Sequence, residues 1–264
     1  MEEIRRGRVR VEPTAKRVRV YLHGRPVADS LRTLMVWEVP YYPTYYFPLE
    51  DVDRGLLKAT GETRHSPSRG EAEVHSVGDR RDAALVYLDS PIEELKGHVR
   101  FEWDAMDAWF EEDEEVFVHP RDPYKRVDIL ASGRHVRVEI DGVTVADSRS
   151  PRILFETGLP PRYYLPKTDV RLELFERSDT VTRCPYKGEA EYWSFRPGGS
   201  TGAAAGEGGD AEDAEDAEDG KDIVWSYRTP LPESQKIAGL MSFYNEKVDI
   251  YLDGVLQERP KTKF

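Results

Sequence analysis

In "TRCPYKGEAEYW", residues 182–193, the single cysteine of the chain stands beside an arginine and just before a turn that carries a lysine. Cys184 follows Thr182 and Arg183 and precedes Pro185-Tyr186-Lys187-Gly188. Two cations this close in sequence favour the thiolate, the nucleophilic form of the side chain. No histidine lies nearby in sequence to act as its base. The expectation for Cys184 is therefore packing at a strand end first, ligand contact second and covalent chemistry last. A second group of polar-tipped aromatics is "PPRYYLPKTDV", which holds Tyr163 and Tyr164. On extended backbone neighbouring side chains point to opposite faces, so one tyrosine is expected in a core and the other at a cleft. Glu156, Tyr164, Thr182, Cys184, Tyr186 and Lys187 are the candidate ligand-binding residues. A carboxylate, an ammonium, a thiol, a hydroxyl and phenols suit a small anionic or planar ligand.

Other chemistries have less support. His23, His65, His75, His98, His119 and His135 nowhere share metal-ligand spacing, and one cysteine cannot build a multi-cysteine zinc site. Neither a metal nor a cofactor is expected. Gly199-Ser200 followed by Asp210-Ala211-Glu212 has the spacing with which nucleotidyltransferases hold Mg²⁺ at phosphates. The match falls in a tract of Gly, Ala, Asp and Glu, where it arises almost by default, and metal–phosphate chemistry needs carboxylates on a rigid element. Residues 111–115, "EEDEE", read as a solvated hairpin end. The leading expectation is a ligand-binding or scaffolding module that is not an enzyme. The alternatives are an enzyme acting on a nucleotide or through a Cys184 thiolate, and an interaction protein.

The elements that position these residues come in two copies. Residues 8–77 align with residues 126–195 at a constant shift of 118 without gaps, and 24 of the 70 positions are identical. "VADS" stands at residues 27–30 and 145–148, "YYFPLEDV" at 45–52 meets "YYLPKTDV" at 163–170, and "SPSRGEAE" meets "CPYKGEAE". Differences such as Leu22/Ile140, Met35/Ile153 and Phe47/Leu165 exchange one apolar residue for another, which cores tolerate. The copies rejoin further on, with Gly97 opposite Gly239 and Phe101 opposite Phe243. A tandem duplication follows, with domains at 1–124 and 125–264. Where the first copy has a short turn, the second carries residues 197–221, too polar and repetitive to repay ordering, and expected to be disordered. The site is expected to survive better in the second copy, because "CPYK" becomes "SPSR" in the first.

Within each copy the signals are those of strands. Val136, Val138 and Ile140 alternate with Arg137, Glu139 and Asp141, and Asp141-Gly142 supplies the positive-φ residues of a tight hairpin. "KTDVRLELFE" reads as one short helix with Thr168 as its N-cap and Leu172 and Phe175 on one face. Asp51 and Asp169 are expected near the start of such a helix, where negative charge suits the dipole. The fold class is mainly β, with one or two short helices per domain.

Charge and hydropathy bound the partners. The net charge is −12, and removing the eight carboxylates of residues 206–220 brings it to −4. No basic footprint for duplex nucleic acid remains, while the acidic tract offers a docking segment for a basic protein partner. No apolar run reaches the roughly 20 residues that span a membrane. "MEEIRRGRVR" lacks the apolar stretch of a secretory signal, so a cytoplasmic protein is expected.

The motifs "VRVEIDGVTVADS", "ETGLPPRYYLPKTDV", "TRCPYKGEAEYWSF", "VWSYRTPLPESQKIAG" and "MSFYNEKVDIYLDG" together resemble the bacterial family labelled domain of unknown function 427, of which doubled versions are common in actinobacteria. The resemblance covers nearly the whole chain apart from the acidic tract. It implies a β-tent-like fold of coiled sheets, similar to methionine sulfoxide reductase B but without the zinc cysteines, and a nucleotidyltransferase-like label. No established reaction comes with it.

Overall fold

The computed structural model describes residues 9–196 and 220–262. The chain divides into two compact units, Met1–Asp122 and Pro123–Phe264. Each holds one seven-stranded and one four-stranded antiparallel sheet. In the second unit the large sheet runs, edge to edge, Val127–Ala131, Arg152–Glu156, Arg162–Leu165, Met241–Phe243, Val224–Tyr227, Gly188–Phe195 and Phe175–Cys184. Its small sheet runs Val143–Ser148, Val136–Ile140, Asp249–Leu252 and Val255–Leu256. The first unit repeats this order. Its large sheet runs Arg10–Pro13, Leu34–Trp37, Thr44–Pro48, His98–Phe101, Arg80–Tyr87, Gly70–Val77 and Leu57–Ser66. Even the irregularities recur at the same shift: register slips at Val20/Tyr21 and Val138/Glu139, and again at Ala59/Thr63 and Arg177/Val181. Bulges at equivalent positions mark a duplicated architecture, because each one re-aims every side chain beyond it. Among the described residues no helix is long and apolar enough to cross a membrane.

The large sheet is covered on both faces, which explains why its strands read as near-continuous apolar runs. In the second unit Val136, Val138 and Ile140 of the small sheet pack against Ile153, Tyr163, Leu165, Val224 and Phe243 of the large one. The opposite face buries Leu154, Tyr164, Tyr192, Trp225 and Tyr227 together with Ile237. The first unit divides Tyr45 and Tyr46 between its two cores in the same way. Both tyrosines of each pair are thus structural, and they do point to opposite faces.

"VADS" is a latch. Ser148 Oγ donates to Asp169 Oδ2 at 2.6 Å and accepts Ser150 N–H at 3.2 Å. Ser30 Oγ donates to Asp51 Oδ2 at 2.7 Å and accepts Arg32 N–H at 2.9 Å. Backbone bridges Ala28–Val52 and Ala146–Val170 tie the same segments together. The two aspartates are therefore serine-hydroxyl acceptors, and their neighbouring turns are too short to make a dipole. The helix expected over residues 167–176 is replaced by two 3₁₀ turns, Lys167–Asp169 and Leu172–Leu174, after which Phe175 opens a strand. Pro166, not Thr168, precedes the first turn, and no side chain caps it. The bridge at Val170 holds that residue extended and interrupts any continuous helix.

The hairpin at residues 111–115 is present, but Glu111 is not solvated: it is 7% exposed and takes Tyr45 OH and Lys16 Nζ. Asp141 and Gly142 have φ of +50° and +75°, as the hairpin requires. The acidic insertion lies between Gly188–Phe195 and Val224–Tyr227, and residues 197–219 of it fall outside the described residues.

Candidate functional site

The turn at residues 185–187 joins the edge strand Phe175–Cys184 to Gly188–Phe195, with Cys184 facing Gly188 across it. Gly188 has φ +92°, a left-handed conformation that an L side chain adopts only with strain. Lys187 O then accepts Leu231 N–H at 3.1 Å, and Tyr186 O accepts Ser234 Oγ at 3.1 Å, so the turn is anchored to the segment around Pro232–Ile237. This anchoring aims the Lys187 side chain at Glu156, which ends the strand Arg152–Glu156. The ammonium donates to Glu156 Oε2 at 2.5 Å, with side chains 13% and 9% exposed. Burial works to lower the Lys187 pKa, and its electrostatic interactions with the Cys184 sulfur and the Glu156 carboxylate overcome it and hold it raised. Lys187 is an ammonium at neutral pH.

Four of the six candidates come together here: Glu156, Tyr164, Cys184 and Lys187. Tyr164 lies within electrostatic reach of the other three, and burial pushes its phenol up to about 12 despite the Lys187 charge. Its oxygen accepts Trp225 Nε1 at 3.1 Å. Cys184 is a free thiol of intermediate exposure. The other two candidates stand apart. Thr182 shares a 2.8 Å hydrogen bond with Tyr192 OH, and Tyr186 is buried in the turn with its carbonyl committed to Ser234. Sequence reasoning missed Tyr227 and Ser242. The Tyr227 phenol is raised well above its ordinary value by burial and by Tyr164. Its identity with Tyr87, visible once the gap is placed so that both carbonyls accept the Gly97 and Gly239 N–H groups, was the available signal.

The first unit has the same core arrangement with a different closure. Arg69 takes the place of Lys187 and pairs with Glu38 at 2.9 Å, so the drift from "CPYK" to "SPSR" preserves the ion pair. Glu38 also receives Tyr46 OH at 2.7 Å, and Arg100 Nε lies 3.0 Å away as a second ion pair. Arg100 sits opposite Tyr46 in the sheet, and Ser242 sits opposite Tyr164. At this position the second unit therefore offers a small hydroxyl in place of a guanidinium. Ser242 Oγ is buried without a hydrogen-bond partner among the described residues. Within the same limits the Glu156 side chain takes a single donor, Lys187.

Among the described residues no three His, Cys, Asp or Glu side chains gather as a metal site. The Gly199-Ser200 and Asp210/Glu212 spacing lies outside the described residues. A search of curated proteins finds no match to the chain. The model of one family, described as domain of unknown function 427 (DUF427), matches residues 10–112 and 128–254. The two matched spans coincide with the two repeated sheet systems, and the chain belongs to the DUF427 family as a tandem pair.

Proposed function

We propose that the second unit is a small-ligand-binding module whose site is formed by Glu156, Tyr164, Cys184 and Lys187. The observation that carries this reading is the contrast at one sheet position. In the first unit Glu38 takes the Tyr46 hydroxyl and forms ion pairs with both Arg69 and Arg100. In the second, Ser242 stands where Arg100 does and brings no charge, so Glu156 retains acceptor capacity beside a buried ammonium and a free thiol. A buried carboxylate with few donors is costly unless something completes it, and a ligand donor would do so. The ligand favoured by this chemistry is small and planar, with an N–H or O–H for Glu156 and an anionic or carbonyl oxygen for Lys187.

Untargeted metabolite profiling on the purified chain supplies the compound, and two variants locate it. Lys187→Ala is expected to lose most of the retained compound, whereas Arg69→Ala keeps it. Lys187→Arg, which installs the cation of the first unit, separates loss of binding from loss of the ion pair. Equal retention by Lys187→Ala and Arg69→Ala, or loss in Arg69→Ala alone, would contradict the assignment.

A further inference from the structure

The second unit has a cavity on the other face of the large sheet, on the side of Tyr163. It measures about 590 Å³ and is lined by Pro160, Pro161, Tyr163, Asn245, Ile250 and Lys261 among others. One wall is the chain after the last strand, and it is pinned at both ends. Arg259 pairs with Asp249 at 2.8 Å, and Thr262 Oγ1 donates to Glu246 at 2.8 Å. On the other side, Asn245 Nδ2 donates to Pro161 O at 2.8 Å, which fixes the amide orientation and leaves Oδ1 buried with no hydrogen-bond donor among the described residues. The equivalent place in the first unit is a smaller cavity of about 240 Å³, with Tyr45, Trp103, Trp109 and His119 in its lining. Trp103, which stands where Asn245 does, stacks on Trp109 at 4.4 Å, and the Tyr45 hydroxyl is occupied by Glu111. In the second unit the position of Glu111 is Leu252, so Tyr163 has no such carboxylate. The first unit has closed with aromatics what the second leaves open.

We infer that the Tyr163–Asn245–Lys261 cavity binds a small planar organic acid that carries an N–H donor. The N–H satisfies Asn245 Oδ1, the acid group takes the Lys261 ammonium and the Tyr163 hydroxyl, and the planar body lies on Pro160, Pro161 and Ile250. Arg259 is committed to Asp249, so the lining sets the Lys261 ammonium against the single carboxylate of Glu258 and carries no net negative charge. This site is independent of the one at Glu156 and Lys187, because Tyr163 and Tyr164 face opposite sides of the sheet.

Hippurate, an N-acylated glycine with a phenyl ring, is a probe with all three features. Titrated into the full chain and followed by ligand-observed NMR, it is expected to bind with a dissociation constant of about 1 mM. Hippurate methyl ester, and benzoate, which lacks the N–H, should each bind about tenfold more weakly. Lys261→Ala, a surface change that leaves the fold intact, and Asn245→Leu should weaken hippurate by a similar factor. Lys187→Arg should leave its affinity unchanged. Absence of saturable binding, or unchanged binding in both Lys261→Ala and Asn245→Leu, overturns the inference. So does a loss caused by Lys187→Arg, which would place the probe at the other site.

Discussion

A serine at position 242, where the first unit has Arg100, leaves the second carboxylate with one cation beside it in place of two. Single side chains of this kind separate two otherwise matching units, and they carry testable energetics. Burial pushes the Tyr164 phenol from the ordinary 10.0 up to about 12. The unfolded chain releases this proton first, so the contribution of Tyr164 is intact below pH 10.0 and is lost as pH rises towards 12. The loss amounts to about 3 kcal/mol, and denaturant titrations across this alkaline range should show it, while Tyr164→Phe makes the profile shallower by that share and leaves the part due to the other raised phenols, Tyr227 among them. A Tyr164→Phe chain with the same alkaline slope would locate the effect elsewhere. The latch makes a second residue-scale claim. Ser148→Ala takes the donor from Asp169 Oδ2, leaving Thr168 Oγ1 on Oδ1 alone, and should cost about 1–2 kcal/mol in urea unfolding.

At the scale of elements, the turns set the sites. Gly70 and Gly188 occupy the same place, with φ of +81° and +92°, so alanine at either is strained by about 1 kcal/mol. A methyl on Gly188 meets Leu231 at ordinary contact distance, 3.5 Å, whereas on Gly70 it would lie 2.7 Å from Pro91 Cδ. Gly70→Ala is thus expected to destabilise more than Gly188→Ala, by about a further 1–3 kcal/mol from the overlap. Thermal unfolding of the two variants checks the order, and the reverse order would contradict the turn geometry. Strand periodicity, the Asp-Gly hairpin and the paired tyrosines were legible in the sequence because their causes are local. The helix over residues 167–176 was misread because its apolar spacing is helical, while a long-range bridge at Val170 holds the chain extended. Glu111 was misread for the same kind of reason: in "EEDEE" it looks solvated, yet Tyr45 and Lys16 reach it from distant parts of the chain. The pairing of Lys187 with Glu156 was anticipated as a grouping. The role of Ser242 was hidden, because its counterpart Arg100 appears only after the gapped part of the repeat is aligned through strand register.

At the scale of the whole molecule, duplication gives one chain two copies of a scaffold under different constraints. The acidic insertion starts and ends in one hairpin: Phe195 N–H donates to Gly220 O at 2.8 Å, and Trp193 pairs with Val224 in the sheet. A short turn can close that gap, as residues 78–79 do between Gly70–Val77 and Arg80–Tyr87. Replacing residues 198–219 with a Gly-Ser turn should therefore leave the melting temperature nearly unchanged, because loop closure depends only weakly on length. A drop of several degrees would show that the tract packs on the fold. The central claim is that the second unit holds a ligand beside Glu156 and Lys187, and the single cysteine reports on that place directly. The alkylation rate of Cys184 by iodoacetamide should fall several-fold when the compound retained by the chain is added back. The same addition should leave the rate unchanged in the Lys187→Ala chain. If the retained compound binds and stabilises the wild-type chain but Cys184 alkylates at its original rate, the ligand lies elsewhere and the account of this site is wrong.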